Sequence, residues 1–351
     1  MTTLDSIRSE LSVLPLVCIC VPTYNAADTV YETLKSILAQ TYTNLVVHVS
    51  DNASTDDTLT VIESISDRRI TIHRHDENVG GEGNFNRCIQ YAEGRYTAIF
   101  HADDLYEPDM VAKQVAFLEA HLGAGAVFTE AMLIDEMGNR IGELRLPQGI
   151  ESQNGLYDFV TMFKAVLRHS NFFICPSVMV RTQVYQQEIK CWRGELFKSS
   201  ADLDLWFRIL RLHPVGYLTE RLMRYRISNS QWSARVRLGA ERADFFLVLD
   251  HYLEQEPIRV LLTSDDLRNY GWLERRDRVM RATNLFITDH PKQANELVHD
   301  VFSRDAISSA LRTKRGMFVF AMGGYTRLLA ALRWNKVGKV SLGYIKRRIG
   351  K

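Results

Sequence analysis

Apolar and polar stretches alternate regularly along the first hundred residues. Leu14 to Val21 is a short apolar run of β-forming residues, the pattern of a parallel strand covered on both faces. Pro22-Thr23-Tyr24-Asn25 stops it, and Val30, Leu34, Ile37 and Leu38 then recur at helical spacing. Leu45 to Ser50 predicts a second strand closed by Asp51-Asn52-Ala53-Ser54-Thr55-Asp56, with a helix running on to about Ser66. Ile70 to His73 predicts a third strand. Asn78-Val79-Gly80-Gly81-Glu82-Gly83-Asn84 then reads as a loop that opens a helix through Tyr91. A fourth apolar run, from Tyr96 to Phe100, leads into His101-Ala102-Asp103-Asp104, and Leu105-Tyr106-Glu107-Pro108 breaks it. Strand, turn and helix in repetition predict an α/β fold with a mostly parallel sheet flanked by helices.

The pattern then loosens. Met110 to Leu122 predicts a helix, Ala126 to Phe128 a strand, Asp135 to Asn139 a hairpin turn, and about Arg140 to Gly155 an irregular mobile loop. Tyr157 to Arg168 is amphipathic, Val178 to Val180 and Gly216 to Leu218 are strand-like, and from Ala234 the chain is helical with breaks near Pro257, Thr263-Ser264 and Pro291. Phe245, Leu249, Tyr252 and Leu253 form one apolar stripe, read as core. The divisions expected are an N-terminal extension (1–14), a catalytic domain (15–233), a helical region (234–305) and a basic amphipathic tail (306–351).

The 351 residues are long enough for a substantial core, and the apolar (46%) and charged (24%) fractions exclude wholesale disorder. The five cysteines form no C-x-x-C pair and no disulfide framework, with Cys18 and Cys20 expected as core thiols, which fits a reducing cytosol. Met1 to Leu14 lacks a basic-then-apolar leader, and no apolar run reaches the ~18 residues of a spanning helix. The formal net charge of +1 conceals an asymmetry. From Ala306 to Lys351 there is no acidic residue, while the cations interleave with Phe318, Leu328, Trp334, Val340 and Tyr344. That mixture suits a helical segment lying on an anionic membrane.

In open α/β sheets the ligand site lies at the carboxyl ends of the strands, where the polar groups of this sequence collect. Adjacent carboxylates after a buried strand repel one another unless a cation neutralises them, so Asp103 and Asp104 read as holders of a divalent metal and, through it, a nucleotide diphosphate. A solvated turn with an aspartate capping the next helix is the plainer alternative. Asp51 is suited to accept a hydrogen bond from a base N–H, Tyr24 to stack a base, and Gly80-Gly81 to admit close backbone approach, with Ser54 or Thr55 capping the following helix. Ser199 or Ser200 is expected to cap a helix whose first turn carries Asp202, where the helix dipole keeps the acid ionised, as a general base requires. Asp204, two residues on, points elsewhere.

Taken together these residues resemble the family 2 glycosyltransferases with the GT-A (Rossmann-like) fold, over roughly Pro15 to Ser233. Pro22-Thr23-Tyr24-Asn25 matches the family's P-T-Y-N, Ser50 to Asp56 its base-binding stretch, and Asn78-Val79-Gly80 with Asn84 and Asn86 its N-x-G…N-x-N loop. Asp103-Asp104 falls on D-x-D-D with His101 in place of the first acid, and Ala201-Asp202 on E-D with Ala in place of Glu. Tyr225-Arg226-Ile227-Ser228 falls on Y-R-x-H with Ser in place of His. The resemblance implies inverting transfer of a hexose from a nucleotide-diphosphate sugar, UDP-linked by expectation, to a glycan or lipid-linked acceptor hydroxyl in cell-surface polysaccharide or glycolipid synthesis. It assigns Asp202 as catalytic base, and Asp103 and Asp104 to Mn²⁺ or Mg²⁺. The donor falls to Pro22, Thr23, Tyr24, Asn25, Asp51, Asn52, Asn78, Gly80, Asn84 and Asp103, and His101 to a ribose contact or support of the metal ligands in preference to being a ligand itself. Acceptor selection is expected from Phe172 to Ser177 and the loop after Arg140. The expected location is cytoplasmic, peripheral on the inner membrane face through 306–351, with no nucleic-acid partner. Two rivals remain at this level: a nucleotidyltransferase, which needs a Gly-rich basic loop where Pro22 to Asn25 stand, and a non-catalytic nucleotide- or glycan-binding relative.

Overall fold

The structure, a computed structural model, describes residues 14–152, 155–228, 239–312 and 314–349. The expected N-terminal extension, but for Leu14, and the last residues of the expected catalytic domain, 229–233, lie outside these residues. Two compact units emerge: one runs to Ala165 and resumes over Asn171–Ser228, the other comprises Val166–Ser170 and the described residues beyond Ser228.

The first unit is built on a sheet of ten described strands. Strands β1 (Val17–Thr23), β2 (Leu45–Asp51), β3 (Ile70–Arg74) and β4 (Tyr96–Ile99) are parallel, in the order β3-β2-β1-β4. Between them run helices α1 (Val30–Leu38), α2 (Thr58–Glu63) and α3 (Gly80–Tyr91). In β1 every residue but Pro22 is buried, as a central strand covered on both faces requires, and α1 buries Val30, Thr33, Leu34 and Ile37 on one face. Cys18 and Cys20 are buried free thiols within this core.

Beyond β4 the sheet becomes mixed. β5 (Leu105–Tyr106), α4 (Met110–Ala120), β6 (Ala126–Ile134) and β7 (Arg140–Leu144) come next, then β8 (Leu156–Tyr157), α5 (Phe159–His169) and β9 (Met179–Arg181). α6 (Gly194–Phe197), α7 (Ala201–Leu212) and β10 (Val215–Arg226) complete the unit. β9 lies antiparallel between β4 and β6, β6 pairs parallel with β10, and β5 closes the edge antiparallel to β10. The α/β class holds, with parallel order confined to the first four strands and to the β6–β10 pair. Three local expectations change. Residues Arg140 to Leu144 are a strand, because Gly138, at φ +82°, turns the chain back onto β6. The Gly-rich stretch is the first turn of α3 and not a loop before it. β10 is a long strand that carries Tyr225 and Arg226 as sheet residues.

The second unit is helical: α8 (Phe245–Leu253), α9 (Glu256–Arg259), α10 (Ser264–Ile287), α11 (Pro291–Leu297), α12 (Arg304–Arg312), α13 (Lys314–Ala331) and α14 (Asn335–Ile349). Proline opens α9 and α11, and a capping box between Thr263 and Asp266 starts α10, so the predicted breaks are helix starts. Its core gathers Val279, Phe286, Val298, Val319, Leu329 and Leu342. Gly338 lets α14 approach closely, since a Cβ there would collide with the Phe286 ring. The basic tail thus supplies part of a packed core, and only its remaining face is free to meet another surface.

Candidate active site

The exits of β1 and β2 are tied together by short side chains. The Asn25 N–H donates to Ser54 Oγ (3.0 Å) and the Thr55 N–H to Asn25 Oδ1 (2.8 Å). Asp51 is buried at its strand end, where its carboxylate accepts from the Ser54 N–H (3.1 Å) and hydroxyl (2.5 Å). Thr23 is buried and donates to Ser50 O, whereas Tyr24 is 49% exposed and presents an open ring beside it.

Asn52 and Asn84, expected at the donor, hydrogen-bond with protein groups. The Asn52 amide donates to Asn78 Oδ1 and Gly80 O, and its carbonyl accepts from the Val79 N–H and the Arg87 guanidinium. The Asn78 carbonyl in turn receives the Gly80 N–H (2.8 Å). Asn84 exchanges hydrogen bonds with Ser50. These asparagines shape the start of α3, leaving the glycine backbone of that turn as the part that can approach a ligand.

After β4 the chain turns through His101 to Asp104. Thr29 and Thr33 of the first helical turn hold Ala102 O at 2.9 Å each, and Thr33 Oγ1 lies 2.8 Å from Asp104 O. The Tyr106 hydroxyl accepts from the His101 N–H at 2.7 Å while its ring stacks on Phe100. Arg226 of β10 closes the turn: its backbone N–H donates to Asp104 Oδ1 (2.8 Å), and its buried guanidinium donates to Asp103 O, Glu136 O and Glu32. Asp104 is 1% exposed, and burial with Asp103 beside it pushes its pKa well up. Its Oδ2 has no hydrogen-bond partner, nor has His101 Nε2, and both atoms are buried. His101, Asp103 and Asp104 offer ligand atoms all within 4.8 Å of one another. A buried carboxylate oxygen left without a donor in such a cluster fits a cation.

Asp202 and Asp204 diverge on α7. Asp204 is fully buried between Arg193 and Arg208, a structural ion pair. Asp202 keeps one oxygen on the Leu203 N–H (2.7 Å), and Ser200, at the N-cap, makes no side-chain capping bond. Burial raises the Asp202 pKa to about 6, outweighing the helix dipole that was expected to keep it fully ionised. The acids of the two regions act on common neighbours. The Cys175 thiol is pushed up by burial and then by Asp202 and Asp104, and the Tyr225 phenol by burial, Asp104, Asp103 and Asp202.

A cleft of about 440 Å³ opens beside α3, lined by Val79, Glu82, Asn86, Trp192, Arg193 and Leu196. Phe85 links it to the acid turn, stacking on Trp192 at 4.4 Å and meeting the His101 ring at 5.6 Å. Sequence reasoning missed this wall and the Arg226 clamp. A cation in a β-rich run two residues before Ser228 was the signal for the clamp, and aromatic residues at 85 and 192 show no short-range pattern.

Residues 18–187 match the sequence profile of Glycosyl transferase family 2. A Bacillus subtilis protein named as a glycosyltransferase, EpsE, is 30% identical over 226 residues, 63% of this chain and 76% of its own length. The Escherichia coli UDP-Glc:alpha-D-GlcNAc-diphosphoundecaprenol beta-1,3-glucosyltransferase WfaP is 37% identical over 106 residues, 30% of this chain and 42% of WfaP. Among solved structures, S. aureus TarS 1-349 with UDP-GlcNAc superposes at TM-score 0.58 with 17% identity, covering 91% of both chains. The mannosyltransferase PcManGT of Pyrobaculum calidifontis, solved with GDP-Man and Mn²⁺, superposes at 0.55 with 19% identity, covering 92% of this chain and 87% of its own. The two structures share the fold, and the sequence matches carry the assignment: the chain belongs to the family 2 glycosyltransferases.

Proposed function

We propose that the protein is an inverting glycosyltransferase of the hexosyl type, moving a sugar from a UDP-linked donor to a hydroxyl of a glycan or lipid-linked acceptor in cell-surface polysaccharide or glycolipid assembly. One observation supports this above the others: His101, Asp103 and Asp104 bring ligand atoms within 4.8 Å of one another, and the buried Asp104 Oδ2 among them has no protein donor. In the proposed arrangement Tyr24 stacks the base, Asp51 reads its N–H edge, and the glycine backbone at the start of α3 lies along the donor. Pro22 and Thr23 shape the strand exit beneath the base. Asp103 and Asp104 would hold Mn²⁺ or Mg²⁺, which when bound supplies charge neutralisation for a departing diphosphate. Asp202 accepts the acceptor's proton as that oxygen bonds to the anomeric carbon and the bond to the diphosphate breaks, which inverts the configuration. Phe85 and Trp192 provide the flat apolar wall that a pyranose ring packs against. WfaP, by its name, acts on a diphosphoundecaprenol-linked acceptor, which supports a lipid-linked acceptor here. No helix among the described residues is long and apolar enough to cross a membrane, and we place the enzyme on the inner membrane face.

The test is turnover by the purified chain with a panel of nucleotide sugars and Mn²⁺, the donor being chosen by thermal shift. Asp202→Asn and Asp103→Ala are each expected to lower turnover by about 10²- to 10⁴-fold while the protein stays folded. A wild-type rate in folded Asp202→Asn removes it as the base.

A further inference from the structure

We propose that His101 is a third ligand of the cation site and that its imidazole biases the site toward manganese over magnesium. The inference rests on the reading that Asp103 and Asp104 hold a divalent cation, and goes beyond it in the ligand set and the metal chosen.

The geometry is that of donors sharing an ion. His101 Nδ1 stands 4.0 Å from Asp104 Oδ2, too far for a hydrogen bond. Ligands at about 2.1 Å from an octahedral ion stand about 3 to 4.2 Å apart, so the spacing suits two positions on one cation. The alternatives account for less. An imidazolium–carboxylate pair would close to hydrogen-bond distance, and a core histidine would be satisfied by protein groups. Here Asp104 Oδ2, the oxygen 4.0 Å from His101 Nδ1, is buried and without a partner in the same cluster, and the other ring nitrogen of His101, Nε2, is also buried and unmet. A shared cation would meet the buried Asp104 oxygen that no protein donor reaches.

The surroundings fix these donors in place. Arg226 occupies Asp104 Oδ1 through its backbone and Asp103 O through its guanidinium, which leaves Asp104 Oδ2 as the oxygen available to an ion. Tyr106 holds the His101 backbone and Phe85 packs on its ring. Magnesium prefers oxygen ligands and sheds water reluctantly, whereas manganese accepts a nitrogen ligand more readily, so a donor set with one imidazole separates the two.

The experiment uses the full chain, Mn²⁺, and inorganic pyrophosphate in place of a donor diphosphate. Pulsed electron paramagnetic resonance is expected to show coupling to a directly bound imidazole nitrogen in the wild type. That coupling should vanish in His101→Ala, with Mn²⁺ affinity falling roughly tenfold or more. His101→Asp should still bind Mn²⁺, but its Mn²⁺-over-Mg²⁺ ratio, read by competition, should shrink roughly tenfold. A wild-type spectrum without nitrogen coupling, or equal ratios in wild type and His101→Asp, overturns the inference while Asp104-dependent binding persists. If wild type and Asp104→Asn alike bind no Mn²⁺, the underlying cation reading fails, and His101 with it.

Discussion

Asp202 carries opposite demands on one side chain. As a base it must be ionised, yet its burial holds the pKa near 6 against an ordinary value of 3.8. A carboxyl whose pKa is raised on folding stabilises the protein most below the ordinary value, and that stability is lost as pH rises toward 6. At pH 8 the ionised form therefore costs the fold about 3 kcal/mol. Two consequences separate a catalytic role from a structural one. The rate should fall about tenfold per pH unit below 6, as the base is protonated. Asp202→Asn, which keeps an oxygen for the Leu203 N–H, should melt higher than wild type at pH 8 and nearly with it at pH 4. Melting curves at the two values decide this, and a variant destabilised equally at both would make Asp202 a structural acid. Asp204 is the internal contrast: two residues away, with Arg193 and Arg208 against it, it belongs to the scaffold.

Among the elements, α3 forms the edge proposed to lie along the donor. Its glycine-rich start is unfavourable for a helix on propensity alone, and Asn52 compensates by engaging Asn78, Val79, Gly80 and Arg87 through one side chain. Asn52→Ala leaves those groups unmet and should lower stability by about 2–3 kcal/mol. It should also raise the donor KM while kcat changes less, because the loss is in positioning the donor and not in the base. Steady-state kinetics beside a denaturant titration separate the two effects, and an unchanged KM at reduced stability would confine Asn52 to folding. The same elements mark how far the sequence could be read. β1 to β4 were legible because each is an apolar run between local turn residues. The antiparallel β9, the β7 hairpin strand and the length of β10 were not, since pairing with distant strands decides them. The Asp103-Asp104 turn was visible as chemistry, but its clamp was hidden: Arg226 stands 122 residues beyond Asp104, and the pairing of β10 with β5 and β6 brings it there. His101 was visible as a departure from the pattern, while its orphaned nitrogen and its distance to Asp104 required coordinates.

For the molecule as a whole, the uneven charge is the feature that the sugar-transfer chemistry leaves unexplained. The helical core takes Val319, Met322, Leu329 and Leu342 from the basic tail, so removing the tail would destroy that core and test nothing about membranes. What remains outside is specific. Trp334, Val337, Val340 and Tyr344 fall on one helical face of the α14 region and are each more than half exposed, with Arg333 and Lys336 exposed among them. An apolar face rimmed by cations suits the boundary of an anionic bilayer, where each cation near the surface contributes about 1 kcal/mol and each valine buried about 1.5 kcal/mol. The full chain should therefore float with vesicles containing phosphatidylglycerol, less so with neutral ones, and progressively less as salt rises. Val337→Glu with Val340→Glu should cut partitioning at least about tenfold, by removing apolar area and adding charge of the wrong sign. Both positions point away from the core residues, so the melting temperature should hold, and a fall in melting temperature would disqualify the variant as a probe. Wild-type protein that stays with the unbound fraction at low salt on anionic vesicles would leave the tail's cations without a membrane role, and a lipid-linked acceptor would then have to come to the enzyme unaided.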